Sequence, residues 1–466
     1  MKYSTIVVGS GTSGQTVAIK LAQAGHSVAL LDDRPLGGTC ALRGCTAKKY
    51  FVVNRELVDG VHDLQNQGFT GRPTPRWEQT LALKNSFTDT VPESTLAYLE
   101  RLGITVFHGT AVFTSPHSVR VVPSVHRHAS ELARVSSDSD LDFDFLVLAC
   151  GSDPRMPSIP GIEYAIDSEG FLALPQVPSR MITLGAGYIA FEFSHIVSSY
   201  GGTVTMIDRN KVPLSAFDPE LVNNLLAAST AKGLRFVPER SAVSLQKTAG
   251  GFQVTDSQGS VWEAEVVLSA AGRIARTAEL NCPLGGVELS GAGVKVDAWG
   301  RSVSNPQVFA VGDCVAGLPM LAPVADALAE VVVEVLVQRG SVENLEPFSN
   351  RVIPSTVFSN PPLSSVGLSE NAARELYGDD LIINQGDTSK WISSQRLGQK
   401  HSGYKVLIQK STKKIVGAHL LGHNSSEVIN VFALAMKADL SAKVLEHLPW
   451  AYPTAVSDLK YMVGTD

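Results

Sequence analysis

The sequence predicts an α/β chain built on two Rossmann-like dinucleotide-binding domains and closed by a C-terminal α+β domain of another kind. Three observations predict it. A strand, a glycine-rich turn, a helix and a second strand ending in an acid open the chain; the same arrangement recurs near residue 180; and the pattern changes after Gly340–Glu346. In the first unit the apolar run Thr5–Val8 leads into Gly9-Ser10-Gly11-Thr12-Ser13-Gly14, then a helical pattern (Val17, Ile19, Leu21, Ala22), then a strand Val28–Leu31 ending in Asp32. Glycines at 9, 11 and 14 permit a tight turn, close approach of backbone to a pyrophosphate and close helix packing, with the helix N-terminus facing the phosphates. Asp32 is placed to accept hydrogen bonds from ribose hydroxyls.

The second unit reads Arg180–Leu184, then Gly185-Ala186-Gly187-Tyr188-Ile189-Ala190, a helix through Ile196, and a strand Thr203–Ile207 ending in Asp208. Two such sites in one chain imply two different dinucleotides. Between them, Ser124–Asp140 is rich in Ser, Asp and His and reads as a solvated excursion. Beyond Glu346, short β-type runs (Ser355–Phe358, Tyr404–Gln409, Ile415–Leu421) and helical stretches near 369–376 and 425–437 give the α+β unit.

Composition narrows the function classes. At 466 residues and 44% hydrophobic content, the chain has room for roughly three domains of about 150 residues. Its 39 basic and 45 acidic side chains form no polybasic block, so neither nucleic acid nor a membrane surface is an expected partner. The opening apolar run is too short for a signal peptide, and no uninterrupted 18-residue apolar stretch follows, so no membrane insertion is expected. Five cysteines, Cys40, Cys45, Cys150, Cys282 and Cys314, are too scattered for a secreted disulfide framework. A cytoplasmic protein is expected, in which any disulfide is catalytic.

Seven motifs in order carry a family resemblance: Gly9-x-Gly11-x-x-Gly14; Gly37-Gly38-Thr39-Cys40-(x)4-Cys45; Ala149-Cys150-Gly151-Ser152; Gly185-Ala186-Gly187-Tyr188-Ile189-Ala190-Phe191-Glu192; Ala271-Gly272-Arg273; Val311-Gly312-Asp313; and Tyr452-Pro453-Thr454. Together they resemble the flavoprotein disulfide reductases, the pyridine nucleotide-disulfide oxidoreductases that include glutathione reductase, dihydrolipoamide dehydrogenase and mercuric reductase. The resemblance implies an FAD domain (1–153), an NAD(P) domain (154–272), a central segment returning to the FAD (273–345) and a dimerisation domain (346–466) of a homodimer. It implies FAD contacts from Gly9, Gly11, Ser13, Gly14, Asp32, Gly38, Thr39, Gly151 and Gly312, with Asp313 on a ribityl hydroxyl. Gly185, Gly187, Ala190, Asp208 and Arg209 are implied for the nicotinamide nucleotide, and Gly272 and Arg273 also among the cofactor contacts. No resident metal is implied.

The same resemblance assigns the catalytic roles. Hydride passes from NAD(P)H to FAD on one face, and a Cys40–Cys45 disulfide is reduced on the other, with Cys45 against the flavin and Cys40 as the interchange thiol. Glu192 pairs with a lysine beside the flavin, Lys48 or Lys49, since a partly buried carboxylate needs a counter-charge. Tyr188 covers the flavin until nicotinamide displaces it. Cys150 and Cys314 read as small structural residues near the FAD, and Cys282 lies in a loop. Asp208 favours NADH, because an acid at that strand end repels the extra phosphate of NADP; Arg209, Lys211 and Ala190 pull toward NADPH, and NADH is the expectation.

One departure shapes the functional reading. Where disulfide-reducing members carry His-Pro-Thr-x-x-Glu, this chain has Tyr452 and Ser457. A phenol with an unperturbed pKa of about 10 is a poor base at neutral pH. His447 and Asp458 are the nearby candidates to relocate that role. Mercuric reductases also place tyrosine in this region, yet no cysteine occurs after Cys314 and no N-terminal metal-binding domain is read, so mercury detoxification of the usual form is not expected. The expected acceptor is a metal ion, a quinone or a similar small molecule that needs no histidine base. The alternatives are a dihydrolipoamide dehydrogenase or glutathione-reductase-like enzyme with relocated proton handling, or a redox-sensing flavoprotein with little turnover.

Overall fold

The computed structural model describes residues 1–71, 73–124, 134–135, 140–291, 293–348 and 352–464. The expected solvated excursion at 124–140 falls mostly outside them. Two compact units are formed, one from Met1–Lys49, Ala82–Arg155 and Arg273–Arg351, the other from Tyr50–Leu81, Met156–Gly272 and Val352–Asp466.

In the first unit the strand Lys2–Val8 pairs in parallel with Val28–Asp32 on one side and Asp140–Leu148 on the other. Ile6, Val7, Leu30, Leu31, Leu146, Val147 and Leu148 are all fully buried. Such runs do not alternate with polar residues because a parallel sheet is covered on both faces. The sheet runs Thr110–Ser115, Ser118–Val122, Asp140–Leu148, Lys2–Val8, Val28–Asp32, Thr105–His108, Arg134–Val135, with Val308–Ala310 also paired to Asp140–Leu148. Register sets Val8 beside Leu31 and Leu148, so three strands end level. The turns after them, at Gly9, Asp32 and Ala149, share one edge, which is where open α/β sheets bind ligands.

The second unit repeats the theme in a smaller parallel sheet, Leu234–Val237, Thr203–Ile207, Arg180–Leu184, Val266–Ser269. An antiparallel sheet of Ala242–Thr248, Gly251–Asp256 and Val261–Ala264 precedes the last of these strands. The C-terminal part is antiparallel throughout: Ser355–Val357, Leu363–Gly367, Ile415–Leu421, Gly403–Gln409, Leu381–Asp387. Helix Ser425–Lys437 closes its core, where Val406, Ile408, Ala418 and Phe432 are wholly buried. Within this unit Lys405, 3% exposed, meets Asp218 at 2.8 Å, Glu370 at 2.6 Å and Glu220 at 3.0 Å. Asp218 also caps helix Pro219–Ala231, so one buried ammonium ties a helix start to the C-terminal sheet.

Candidate active site

The first glycine turn is held by its acid. Gly9 has φ 111°, and a Cβ there would lie 2.2 Å from the carbonyl oxygen of Ala149, so only glycine lets the chain leave the strand at this point. Asp32 Oδ2 accepts from the Ser10 backbone N–H and the Ser10 hydroxyl, each at 2.6 Å, and Oδ1 accepts from Arg34 N at 2.9 Å. Gly37 N donates to Ser10 Oγ at 3.1 Å, which draws the loop leading to the cysteines onto the turn. Gly9, Gly11, Asp32, Gly38, Thr39 and Gly151 line one cleft. Helix Thr12–Gln23 opens onto it with no acid in its first turn, so its free N–H groups meet no competing carboxylate. That donor set fits a pyrophosphate.

A second group of expected residues converges beside this cleft. Arg273 donates from Nε to Ser152 Oγ at 2.8 Å and from Nη2 to Ser152 O at 2.6 Å, and Ser152 Oγ donates to Asp313 Oδ2 at 2.8 Å. Gly312 lies so close to Ser13 that a Cβ would sit 2.8 Å from the Ser13 hydroxyl. Arg276 grips Asp33 with two nitrogens and donates its backbone N–H to Gly151 O at 3.0 Å. Ser10, Ser152, Asp33 and Arg276 were not singled out from the sequence. Ser10 and Ser152 sit inside recognised motifs, and Asp33 doubles Asp32, so a polar residue at the end of a buried strand was the available signal.

Cys40 lies in the short helix Gly38–Arg43 and Cys45 opens helix Cys45–Asp63; both are free thiols, Cys45 exposed and Cys40 half-buried. A hydrogen bond from the Cys45 thiol pushes Cys40 down to about 6; burial opposes this, and Thr46, whose hydroxyl is 3.8 Å away, assists it. The same hydrogen bond and the Cys40 charge push Cys45 up, with Lys48 pulling the other way. One proton of the pair therefore leaves below neutral pH and the other is retained. Lys48 is buried and Lys49 half-buried.

The remaining cysteines converge from distant sequence. Cys314 donates to the carbonyls of Leu148 at 3.2 Å and Val311 at 3.3 Å, and it shares a thiol–thiol hydrogen bond with Cys150. Cys282, 1% exposed, is pushed up to about 11 by burial and then by the Cys314 charge.

The second glycine turn reuses the first one's chemistry. Gly185 has φ 107°, and a Cβ there would meet Ala270 O at 2.5 Å. Asp208 Oδ2 accepts from Ala186 N and Oδ1 from Asn210 N, both at 2.7 Å. Arg209 and Lys211 are exposed. Gly187 precedes helix Tyr188–Ser199, on which Tyr188 is 37% exposed while Ala190 and Glu192 are buried. Glu192 Oε1 accepts from Phe358 N at 3.0 Å. Arg55, its side chain 2% exposed, donates to Ser359 O at 2.6 Å and feels the charges of Asp59, Glu56 and Glu192. The burial of this cation was not legible in the sequence.

At the C-terminal end Tyr452 is 71% exposed. Ser457 turns its hydroxyl back onto Thr454 O at 2.6 Å. Asp458, pushed up by burial, accepts from the Ser393 hydroxyl, and His447 Nδ1 donates to Lys443 O at 2.8 Å. Each candidate substitute for the absent histidine is thus engaged by a local partner.

The family model for pyridine nucleotide-disulphide oxidoreductases matches residues 3–329, and that for the dimerisation domain of the same family matches 353–463. The chain belongs to this family: an enzyme class that uses FAD and NAD(P)H, with a dimerisation domain that supports a homodimer. Similar proteins include a glutathione reductase of Nostoc sp., 26% identical with 99% of each chain covered. A dihydrolipoyl dehydrogenase of Staphylococcus aureus is 28% identical, covering 97% of this chain and 94% of the other. The HOCl-induced flavoprotein disulfide reductase RclA from Escherichia coli shares the fold with a TM-score of 0.86 at 24% identity, 99% of each chain covered. Among the described residues no helix is long and apolar enough to cross a membrane.

Proposed function

We propose that this enzyme draws electrons from NAD(P)H, with NADH preferred, and delivers them through Cys40 and Cys45 to an acceptor that needs no histidine base: a metal ion, a quinone or a similar small molecule. The observation that carries this reading is the pair Tyr452 and Ser457 at the positions of the family's His and Glu, the phenol exposed and the serine bonded back to Thr454 O. FAD, held along the first glycine turn, supplies two-electron transfer between the nicotinamide and the cysteine pair. Asp313 holds the ribityl chain, Tyr188 covers the nicotinamide side, and Glu192 fixes a lysine, Lys48 or Lys49, beside the ring. The domain limits 1–153, 154–272, 273–345 and 346–466, a homodimer and a cytoplasmic setting belong to the same reading.

The thiol chemistry supports it. With Cys40 held down at about 6, its sulfur is a thiolate at neutral pH without help from a base. Closing the pair to a disulfide releases two electrons and the one proton left on Cys45; two one-electron metal ions or one quinone, the latter with two protons in all, balance the step. Soft metal ions bind thiolates well, and the E. coli protein of the same fold has been solved as a Cu(II) complex, which places cupric ion among the acceptors worth screening.

A second reading, a disulfide reductase with relocated proton handling, is favoured by that same thiolate, since attack on a disulfide also requires one. A steady-state screen of NADH and NADPH against cupric ion, mercuric ion, quinones, glutathione disulfide and lipoamide, with Cys40→Ser as control, separates them. General-base catalysis is worth about 10²–10⁴-fold. Metal or quinone turnover that exceeds disulfide turnover by about a hundredfold and is lost in Cys40→Ser bears out the first reading; the opposite order contradicts it.

A further inference from the structure

A cavity of about 310 Å³ lies within the second unit, lined by His62, Asp63, Lys232, Asn360, Lys400 and His401 together with several amide side chains. This is the size range of small-molecule sites, and donors dominate its lining. Asn360 is 8% exposed, and among the described residues its Nδ2 has no acceptor. His401 Nδ1 donates to Asn224 Oδ1 at 2.8 Å, which fixes the ring. Lys232 is 2.9 Å from Asp59 and 3.9 Å from Asp63, while Lys400 is exposed. Two lysines and two histidines line the space with a single carboxylate, and the Asn360 side chain is buried in its wall.

The wall of this cavity leads to Glu192 by two routes. Along helix Cys45–Asp63 the residues Arg55, Asp59 and Asp63 stand four apart, so they share one face. Lys232 joins Asp63 and Asp59, and Asp59 Oδ2 lies 3.9 Å from Arg55 Nη1 without a hydrogen-bond partner. That link is loose, while Arg55 itself is held by Ser359 O at 2.6 Å and Glu56 at 3.2 Å. The second route is the main chain: Phe358 N holds Glu192, Ser359 O holds Arg55, and Asn360 lines the cavity.

We propose that this cavity is a second binding site, for a small molecule carrying a phosphate or carboxylate group, and that its occupancy is felt at Glu192. An oxyanion pairs with Lys400 and shares Lys232 with Asp59, which strengthens the attraction of Asp59 for Arg55 and so draws on the Ser359 carbonyl that Arg55 holds, next to the Phe358 N–H that holds Glu192. The link to Glu192 rests on the flavin-side role proposed above; the binding itself does not.

The test is calorimetric titration of the oxidised holoenzyme, in a zwitterionic buffer, with inorganic phosphate and separately with succinate. One saturable site is expected, tighter for phosphate if the natural group is a phosphate and for succinate if it is a carboxylate. Lys400→Ala and Lys232→Met should each weaken it by about tenfold, while Arg209→Ala, at the nucleotide turn, leaves it unchanged. Retained visible flavin absorbance shows that the variants are folded. No saturable heat with either probe, or loss in Arg209→Ala alone, overturns the site. With binding established, saturating probe should change the rate of anaerobic flavin bleaching by NADH by about fivefold; an unchanged rate overturns the link to Glu192.

Discussion

The two nucleotide turns solve one problem with the same atoms and then part company. In each, a carboxylate at the end of the second strand takes one N–H from the glycine turn and another from two residues further on: Ser10 and Arg34 for Asp32, Ala186 and Asn210 for Asp208. The acid shapes the turn before any ribose arrives. The difference lies in the side chains next along the strand end. After Asp32 comes Asp33, buried and gripped by Arg276; after Asp208 come Arg209 and Lys211, both exposed. The first turn commits its neighbouring charge to the fold, while the second leaves its charges exposed. The helices differ too: a Cβ at Gly14 would lie 1.9 Å from Gly9 O, whereas its counterpart Ala190 carries a buried methyl. The lesson is that an acid at this strand end speaks first for the turn, which it shapes before any nucleotide binds.

The largest expected effect comes from removing the first acid. Asp32→Ala strands two N–H groups and a hydroxyl, each unsatisfied group costing about 1–3 kcal/mol, and the protein should purify without flavin absorbance. Asp208→Ala should keep its colour and lose only nicotinamide affinity, by about tenfold in KM. Equal flavin loss in both variants would break the parallel. Next in size, Lys405→Met leaves Asp218 buried beside two further carboxylates and should lower stability by about 3–5 kcal/mol, read by urea unfolding at neutral pH.

The divergence after the acids is sharpened by the double substitution Arg209→Ala with Lys211→Ala. If these side chains hold a 2′-phosphate, kcat/KM for NADPH falls about tenfold and that for NADH is unchanged; equal values before and after would leave Asp208 as the discriminating group. The smallest effect belongs to Cys45→Ala. Alkylation of Cys40 by iodoacetamide in the reduced enzyme should rise with pH through a midpoint near 6 and then level off. Without the Cys45 thiol, the midpoint moves up toward the ordinary value of about 8.5, and alkylation at pH 7 slows severalfold.

Much of the fold was legible because local and global signals agree. The runs Arg180–Leu184 and Thr203–Ile207 are apolar, bounded by glycine and acid, and fold as strands with those limits. Helix 425–437 announces itself by an apolar face that buries Val428 and Phe432. The candidate site is readable in the sequence where its residues are contiguous, as Cys40 and Cys45 are, and where a residue type is replaced, as at Tyr452. It was not legible where partners come from afar. Ser152 joins Arg273, 121 positions away, to Asp313, 161 away, and a serine in a glycine motif carries no sign of that. Arg55 reads as one of several charges on a helix, and only the structure shows it buried against Ser359 O, beside the Phe358 N–H that holds Glu192. The meeting of Cys150, Cys282 and Cys314 depends on strand order, which spacing does not encode.

The central claim is that electrons leave through Cys40 to an acceptor indifferent to a histidine base, and Tyr452→His tests it most directly. Turnover of glutathione disulfide or lipoamide should rise on the order of a hundredfold, as a positioned general base allows, while metal-ion or quinone turnover stays where it was. A wild-type enzyme that already reduces disulfides rapidly, and loses that activity when the histidine is installed, would contradict the account.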